Sequence, residues 1–236
     1  MLEGMGENGG ADKFLDFMKT ELFPFIEKNY RAESDNRTIM GCSLGGLITL
    51  YTLFTHSDMF TGYVAASPSL PSLSKYEEAF SKKQLTKPVR VYMTVGDVEG
   101  RTPDFERFAG SMKSKNYKNV QVRSKVLENT GHSGTKSETY TRGLQFVFER
   151  NQLKLSDAVL NKYVGIYQYP TGNRELQIKN DNGVLKVSGM PLFANSENHF
   201  YSTSSFVNLH FKESNNVVEG FDLLTFEQST TLKKVK

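Results

Sequence analysis

Tryptophan is absent from the 236 residues, cysteine occurs once and histidine four times. The single Cys42 excludes an intrachain disulfide and any metal site built from several thiolates. No apolar run approaches the ~20 consecutive residues that a membrane-spanning helix needs. The opening stretch MLEGMGENGGADKF has neither the basic nor the apolar segment of a signal peptide. These absences favour a cytoplasmic setting, an expectation that a further N-terminal part carrying a leader would change. Charge of one sign is lacking too: 29 Lys and Arg stand against 26 Asp and Glu, a formal net of +3. The densest basic stretch, Lys113 to Lys125, alternates with polar residues and reads as a solvated face, so no nucleic-acid partner is expected.

What the chain has is apolar and aromatic material in ordered patterns. It carries 17 Phe and 11 Tyr within 38% apolar residues, which argues against disorder and leaves enough surface to bury for one sizeable domain or two smaller ones. From Ala11 to Tyr30 the apolar spacing is near-helical, with Pro24 placed to kink the helix. Arg37 to Cys42 reads as a short strand and Leu47 to Phe54 as an apolar helix. Gly62–Ser67 and Val89–Val95 are continuous apolar runs, the mark of strands buried on both faces. Val120–Leu127 makes a fourth strand, and Thr139–Arg150 a closing helix. Strands alternating with helices imply a parallel α/β layer fold.

After Leu155 the pattern changes. Tyr163–Tyr169, Arg174–Ile178, Val184–Val187, Val207–Phe211 and Val218–Phe226 are strand-like, and Asn182-Gly183 marks a hairpin turn. The expected organisation is therefore a catalytic α/β domain over residues 1–152 and a small antiparallel β barrel or sandwich over 153–236.

The chemistry concentrates in three loops of the first part. Gly41-Cys42-Ser43-Leu44-Gly45 sits between a strand and a helix, the context in which G-x-S-x-G presents a serine nucleophile on a sharp turn. The helix N-terminus and the Leu44 N–H would stabilise an oxyanion there. A serine nucleophile needs a base, and the base an orienting acid. Both follow in that chain order. Val95-Gly96-Asp97-Val98-Glu99-Gly100 places two carboxylates after the third strand, and Asn129-Thr130-Gly131-His132-Ser133-Gly134 a glycine-flanked histidine after the fourth. Reactive groups in parallel sheets gather beyond the carboxyl ends of strands, so these loops are placed to converge. Glu99 has more room than Asp97 to turn toward His132, and Asp97 is the alternative acid. His56, His199 and His210 read as structural or solvent-exposed.

These motifs resemble the putative-esterase branch of the α/β-hydrolase superfamily, which includes feruloyl and siderophore esterases. The carriers are GGADKFLDFMKTELFPFIEKNY, RTIMGCSLGGLITLYTLFTHSDMFTGYVAASPSL, VYMTVGDVEG and NTGHSG. The resemblance implies Ser43 as nucleophile, His132 as base and Glu99 or Asp97 as orienting acid. One departure is Cys42, where relatives often carry histidine. The tail, through YVGIYQYP and its NG hairpin, resembles a β-rich domain appended to some of these esterases. Family members also carry several strands, with the loop that supplies a second oxyanion N–H, before the helix that begins here near Ala11. Arg37–Cys42 is then an open sheet edge, an aggregation liability that predicts a cover: a partner subunit, with a homo-oligomer favoured, the β tail, or a lost N-terminal part.

The expected activity is hydrolysis of short-chain acyl esters through an acyl-enzyme, needing no metal or organic cofactor and a small-molecule ester as partner. It should rise through neutral into mildly alkaline pH as the His132 imidazole loses its proton. Two alternatives use the same chain: a binding protein on a truncated hydrolase scaffold, and an acyltransferase with the same triad.

Overall fold

The structure, a computed structural model, describes residues 10–70, 73–150, 152–226 and 228–236. Residues 1–9, most of the stretch in which no signal peptide is read, lie outside the described residues. The chain divides into two compact units, one ending at Glu149 and one beginning at Arg150.

The first unit opens with helix α1 (Ala11–Phe17), a π-helical turn (Met18–Leu22) and α2 (Phe23–Asn29). Pro24 acts as expected on this stretch, though by widening it: lacking an N–H, it cannot close a bond to the carbonyl of Thr20, and the turn before it relaxes to π geometry. Strands and helices then alternate as β1 (Thr38–Cys42), α3 (Leu44–Thr55), β2 (Gly62–Ala66), α4 (Ser74–Phe80), β3 (Val89–Gly96), α5 (Thr102–Ser114), β4 (Val120–Leu127) and α6 (Thr135–Val147). The four strands form one parallel sheet in the order β1-β2-β3-β4.

Burial follows this order. β2 is buried along its whole length and β3 nearly so, while the edge strand β4 alternates half-buried with exposed positions. The alternation across β2 separates two cores. Tyr63 and Ala65 pack with Leu50, Leu53 and Phe54 of α3, whereas Val64 packs with Tyr92 and with Phe146 of α6. Basic residues of the Lys113–Lys125 stretch are largely paired, Lys115 with Glu77, Arg123 with Glu149 and Lys125 with Glu138.

The second unit contains α7 (Asp157–Leu160), β5 (Gly165–Gln168), β6 (Glu175–Asp181), β7 (Val184–Val187), β8 (Met190–Pro191), β9 (Phe193–Ala194), β10 (His199–Tyr201), β11 (Asn208–Ser214), β12 (Val217–Leu224) and β13 (Ser229–Lys234). They make one antiparallel sheet in the order β8-β7-β6-β5-β13-β12-β11-β10-β9. Its two outermost strands, β8 and β9, are separated in sequence by Leu192 alone, so the sheet must curl until its ends approach. Between the expected barrel and sandwich, the outcome is a nearly closed barrel. Its interior is filled by aromatic rings: Tyr163 and Phe211 lie 4.4 Å apart, Tyr167 and Phe221 4.8 Å.

Several boundaries differ from expectation. α3 begins at Leu44 rather than Leu47, which puts Gly45 and Gly46 inside its first turn. α6 begins at Thr135 rather than Thr139. Tyr163 belongs to a 3₁₀ turn, where its fully buried ring donates a hydroxyl bond to Glu213 at 2.7 Å, and the strand starts at Gly165. Among the described residues no helix is long and apolar enough to cross a membrane.

The contact between α6 and β2 depends on a missing side chain. A Cβ added at Gly143 would lie 2.3 Å from Val64 Cγ1. Gly143→Ala should therefore destabilise the first unit by about 1–3 kcal/mol, the usual range for overpacking. Urea denaturation checks this; an unchanged midpoint would show that Val64 can step aside.

Candidate active site

Ser43 is the whole connection between β1 and α3. Its backbone takes φ 59° and ψ −115°, a strained conformation for a residue with a side chain. Backbone bonds hold it there: the Ser43 N–H donates to Ala66 O at 3.0 Å, and its carbonyl accepts from Leu47 N–H at 2.9 Å and Ser69 N–H at 3.2 Å. The neighbouring glycines serve unequal purposes. A Cβ on Gly41 would sit 2.3 Å from the Gly45 backbone, and one on Gly46 2.9 Å from Pro68 Cα, while a Cβ on Gly45 would meet open space. Glycine at 45 is therefore not demanded by crowding of its own Cβ. Leu44 is the first residue of α3, so its N–H has no intrahelical acceptor and lies at the positive end of the helix.

The acid and the histidine come from the loops after β3 and β4. β3 ends at Gly96, and Asp97–Glu99 forms one 3₁₀ turn that folds the Glu99 side chain back onto the strand end. Glu99 Oε1 accepts from Gly96 N–H at 2.8 Å and from the Ser67 hydroxyl. Glu99 Oε2 lies 2.7 Å from His132 Nδ1 and 2.8 Å from Arg101 Nη2. The carboxylate side chain is only 3% exposed. Burial pushes its pKa up, but the bonds from Ser67, Gly96, His132 and Arg101 outweigh that and hold it at about 2.

Asp97 is differently occupied. Its carboxylate accepts from the backbone N–H groups of Asn129 and Thr130 at 3.0 and 3.1 Å, bonds that lower its pKa. It thereby clamps the backbone of the loop that carries His132. The loops touch closely enough that a Cβ at Gly96 would lie 1.9 Å from Thr130 O.

Two residues join the site that the sequence reading did not single out. Ser67 follows β2, is fully buried and has φ 41°. Arg101 Nη2 approaches both Glu99 and, at 2.9 Å, His132 Nδ1. The available signal for Ser67 was its position at the carboxyl end of a parallel strand, level with the other strand-end loops. His56 bonds Thr55 beside it, and His199 faces His210 across the second unit's sheet, so neither belongs to this cluster. A cavity of about 560 Å³ opens beside the cluster, walled by Leu70, Val95, Phe105 and Phe108 and bordered by Ser69 and Arg101. Among the described residues no group of three or more His, Cys, Asp or Glu could hold a metal ion.

The profile of the family described as "Putative esterase" matches residues 3–168. The chain belongs to this esterase family. Over 99 residues it is 36% identical to the ferri-bacillibactin esterase BesA of Bacillus subtilis, covering 39% of this chain and 34% of that protein. Among solved structures it is similar to the BES protein of Bacillus cereus, with a TM-score of 0.56 and 28% identity over 59% of this chain and 56% of that one. A second is an IroE-like serine hydrolase of Shewanella oneidensis, with a TM-score of 0.53 and 25% identity over 58% of this chain and 47% of that one. The chain thus spans about a third of the curated relative and about half of each solved one. The esterase fold shared with these neighbours is the α/β-hydrolase fold expected from the motifs.

The buried Glu99 carboxylate links stability to pH. Its folded-state pKa lies below the ordinary 4.5 at about 2, so its stabilising effect is fully present above pH 4.5 and is lost as pH falls toward 2. The displacement corresponds to about 3 kcal/mol. Glu99→Gln should flatten the acid side of the stability–pH curve between those values. Thermal melts at a series of pH values measure this, and an unaltered acid slope would contradict it.

Proposed function

We propose that this esterase-family chain is a serine carboxylic-ester hydrolase in which Ser43 is the nucleophile, His132 the general base and Glu99 the orienting acid. The observation that carries the reading is the pairing of Glu99 Oε2 with His132 Nδ1 at 2.7 Å, at the same carboxyl-end edge of the sheet as a strained serine turn at a helix N-terminus. With Nδ1 engaged by the carboxylate, Nε2 is the ring nitrogen left to exchange a proton with Ser43. Ser43 Oγ attacks the ester carbonyl carbon as its proton passes to His132. The carbonyl oxygen becomes an oxyanion facing the Leu44 N–H, and Glu99 stabilises the imidazolium. Collapse breaks the ester C–O bond, and His132 returns the proton to the departing alcohol. Water then attacks the acyl-enzyme by the same route, releasing the acid and restoring the Ser43 hydroxyl.

The cavity bordered by Ser69 and Arg101 is the site we assign to one side of the ester. Its size and its Phe105 and Phe108 walls suit a small acyl or aromatic group. The ferri-bacillibactin esterase likeness points to siderophore-type esters as the natural substrate class.

Hydrolysis of p-nitrophenyl esters from acetate to octanoate tests the assignment. Ser43→Ala and His132→Ala should each lower kcat/KM by about 1,000-fold or more. Glu99→Ala should cost more than Asp97→Ala, because of the two carboxylates it is Glu99 that bonds the imidazole while Asp97 bonds loop backbone. A chain no faster than its Ser43→Ala variant would sink the serine reading in favour of a binding scaffold. Addition of a small alcohol, with product analysis, separates hydrolysis from acyl transfer.

We also propose that β1 is covered by a second copy of the chain. β1 ends the sheet order, and Met40 within it is 42% exposed. An open apolar edge favours strand pairing between copies, and a charge placed on it opposes that pairing. Light scattering should give a dimeric mass that Met40→Lys reduces to the monomer; a monomer in both cases refutes the pairing.

A further inference from the structure

Ser67 and Thr135 lie outside the three motif loops, yet both are fully buried and both point their hydroxyls at the acid–base pair. Ser67 N–H donates to Thr94 O at 2.8 Å, which fixes its backbone between the ends of β2 and β3. Its Oγ bonds Glu99 Oε1 and lies 3.0 Å from Thr135 Oγ1. Thr135 Oγ1 in turn lies 2.9 Å from the carbonyl oxygen of His132. From the other side, Thr139 Oγ1 donates to Thr135 O, and Thr94 Oγ1 meets Thr139 Oγ1. The hydroxyls thus form a buried ladder from the sheet end to the base of α6.

Counting protons gives this ladder a direction. Ser67 has one hydroxyl hydrogen, and the ionised Glu99 oxygen beside it can only accept, so that hydrogen goes to Glu99. Thr135 spends its own hydrogen on His132 O, so at the Ser67–Thr135 contact Thr135 Oγ1 accepts a share of the Ser67 hydrogen. Glu99 Oε1 is pinned by Ser67 and Gly96, which leaves Oε2 facing His132 Nδ1. Backbone geometry also argues that the hydroxyl is the reason for serine. At φ 41° glycine would be the less strained residue, and what serine adds there is one oxygen within reach of a carboxylate.

We propose that Ser67 and Thr135 are positioning residues that set the plane of the Glu99 carboxylate and anchor the His132 loop to it; the proposal rests on the serine-esterase reading above. Neither touches substrate, so their loss should act on the chemical step and leave binding alone.

Ser67→Ala, which removes the hydroxyl at the same backbone strain, should lower kcat for a p-nitrophenyl ester by about 10- to 100-fold with KM within about twofold. Ser67→Gly, which the left-handed backbone accommodates, should do the same and covers the case in which the alanine variant fails to fold. Thr135→Val should reproduce the loss, and Thr135→Ser should restore kcat. A second readout does not depend on turnover: in protein with ¹⁵N-labelled histidine, the His132 Nδ1–H proton resonance should sharpen against solvent in the parent. It should broaden or move upfield in Ser67→Gly and Thr135→Val but not in Thr135→Ser. Parent-like kcat and resonance in Ser67→Gly overturn the proposal. If parent hydrolysis does not depend on Ser43, the serine reading falls by itself, and the resonance alone decides whether Ser67 holds Glu99 to His132.

Discussion

A carboxylate that is almost fully withdrawn from water is the constraint around which the loops at the carboxyl ends of the first unit's strands are arranged. Burying such a charge without partners costs several kcal/mol, so donors must meet it. Glu99 finds them in four segments: Ser67 after β2, Gly96 at the end of β3, Arg101 before α5 and His132 before α6. Register makes this convergence available. Ala66 stands opposite Thr94 and Gly96 opposite Leu127, so the strands deliver their following loops to one edge at matching heights.

The Ser43 turn is tied into the same ledge by backbone alone. Cys42 pairs in register with Ala66, the next residue Ser43 donates to the Ala66 carbonyl, and Ser67 donates to the Thr94 carbonyl. Each strand end is thus stitched to its neighbour one step further along the sheet. The strain at Ser43 is supported by these bonds and by the glycines that let α3 approach. Gly41 clears the Gly45 backbone, and Gly46 clears Pro68, so the helix can start one residue after the strand stops. Moving that helix start from Leu47 back to Leu44 matters chemically, since it makes the Leu44 N–H a first-turn donor.

Much of this was legible because the signals were local. The continuous apolar runs in β2 and β3 come from burial on both faces, and the G-x-S-x-G, GDVEG and NTGHSG loops each follow a strand. The Asn182-Gly183 hairpin was readable because both residues must take positive φ, as they do at 51° and 82°. The unread parts depend on partners distant in sequence. α5 carries a weak apolar stripe among charged residues, and Phe105, Ala109 and Met112 find something to pack against only in the assembled core of the first unit. Short strands such as β8 and β9 have no periodicity to detect, and exist because the barrel brings them to its ends. Ser67 was unread for a similar reason: a small polar residue after a strand looks like any turn until Glu99, 32 residues later, is placed against it.

The two carboxylates of one loop show how environment rather than residue type divides their work. Asp97 and Glu99 are two positions apart, yet a single 3₁₀ turn sends them to different partners. Asp97 stays in solvent and grips two backbone N–H groups of the loop that leads to His132. Glu99 turns inward, and its desolvation makes every hydrogen bond to it count for more than the same bond would at the surface. The shorter side chain sets where the histidine loop lies, and the longer one sets how the ring is turned. Exchanging the two residue types would defeat both tasks: a glutamate at 97 would overreach the loop backbone, and an aspartate at 99 would fall one methylene short of Nδ1.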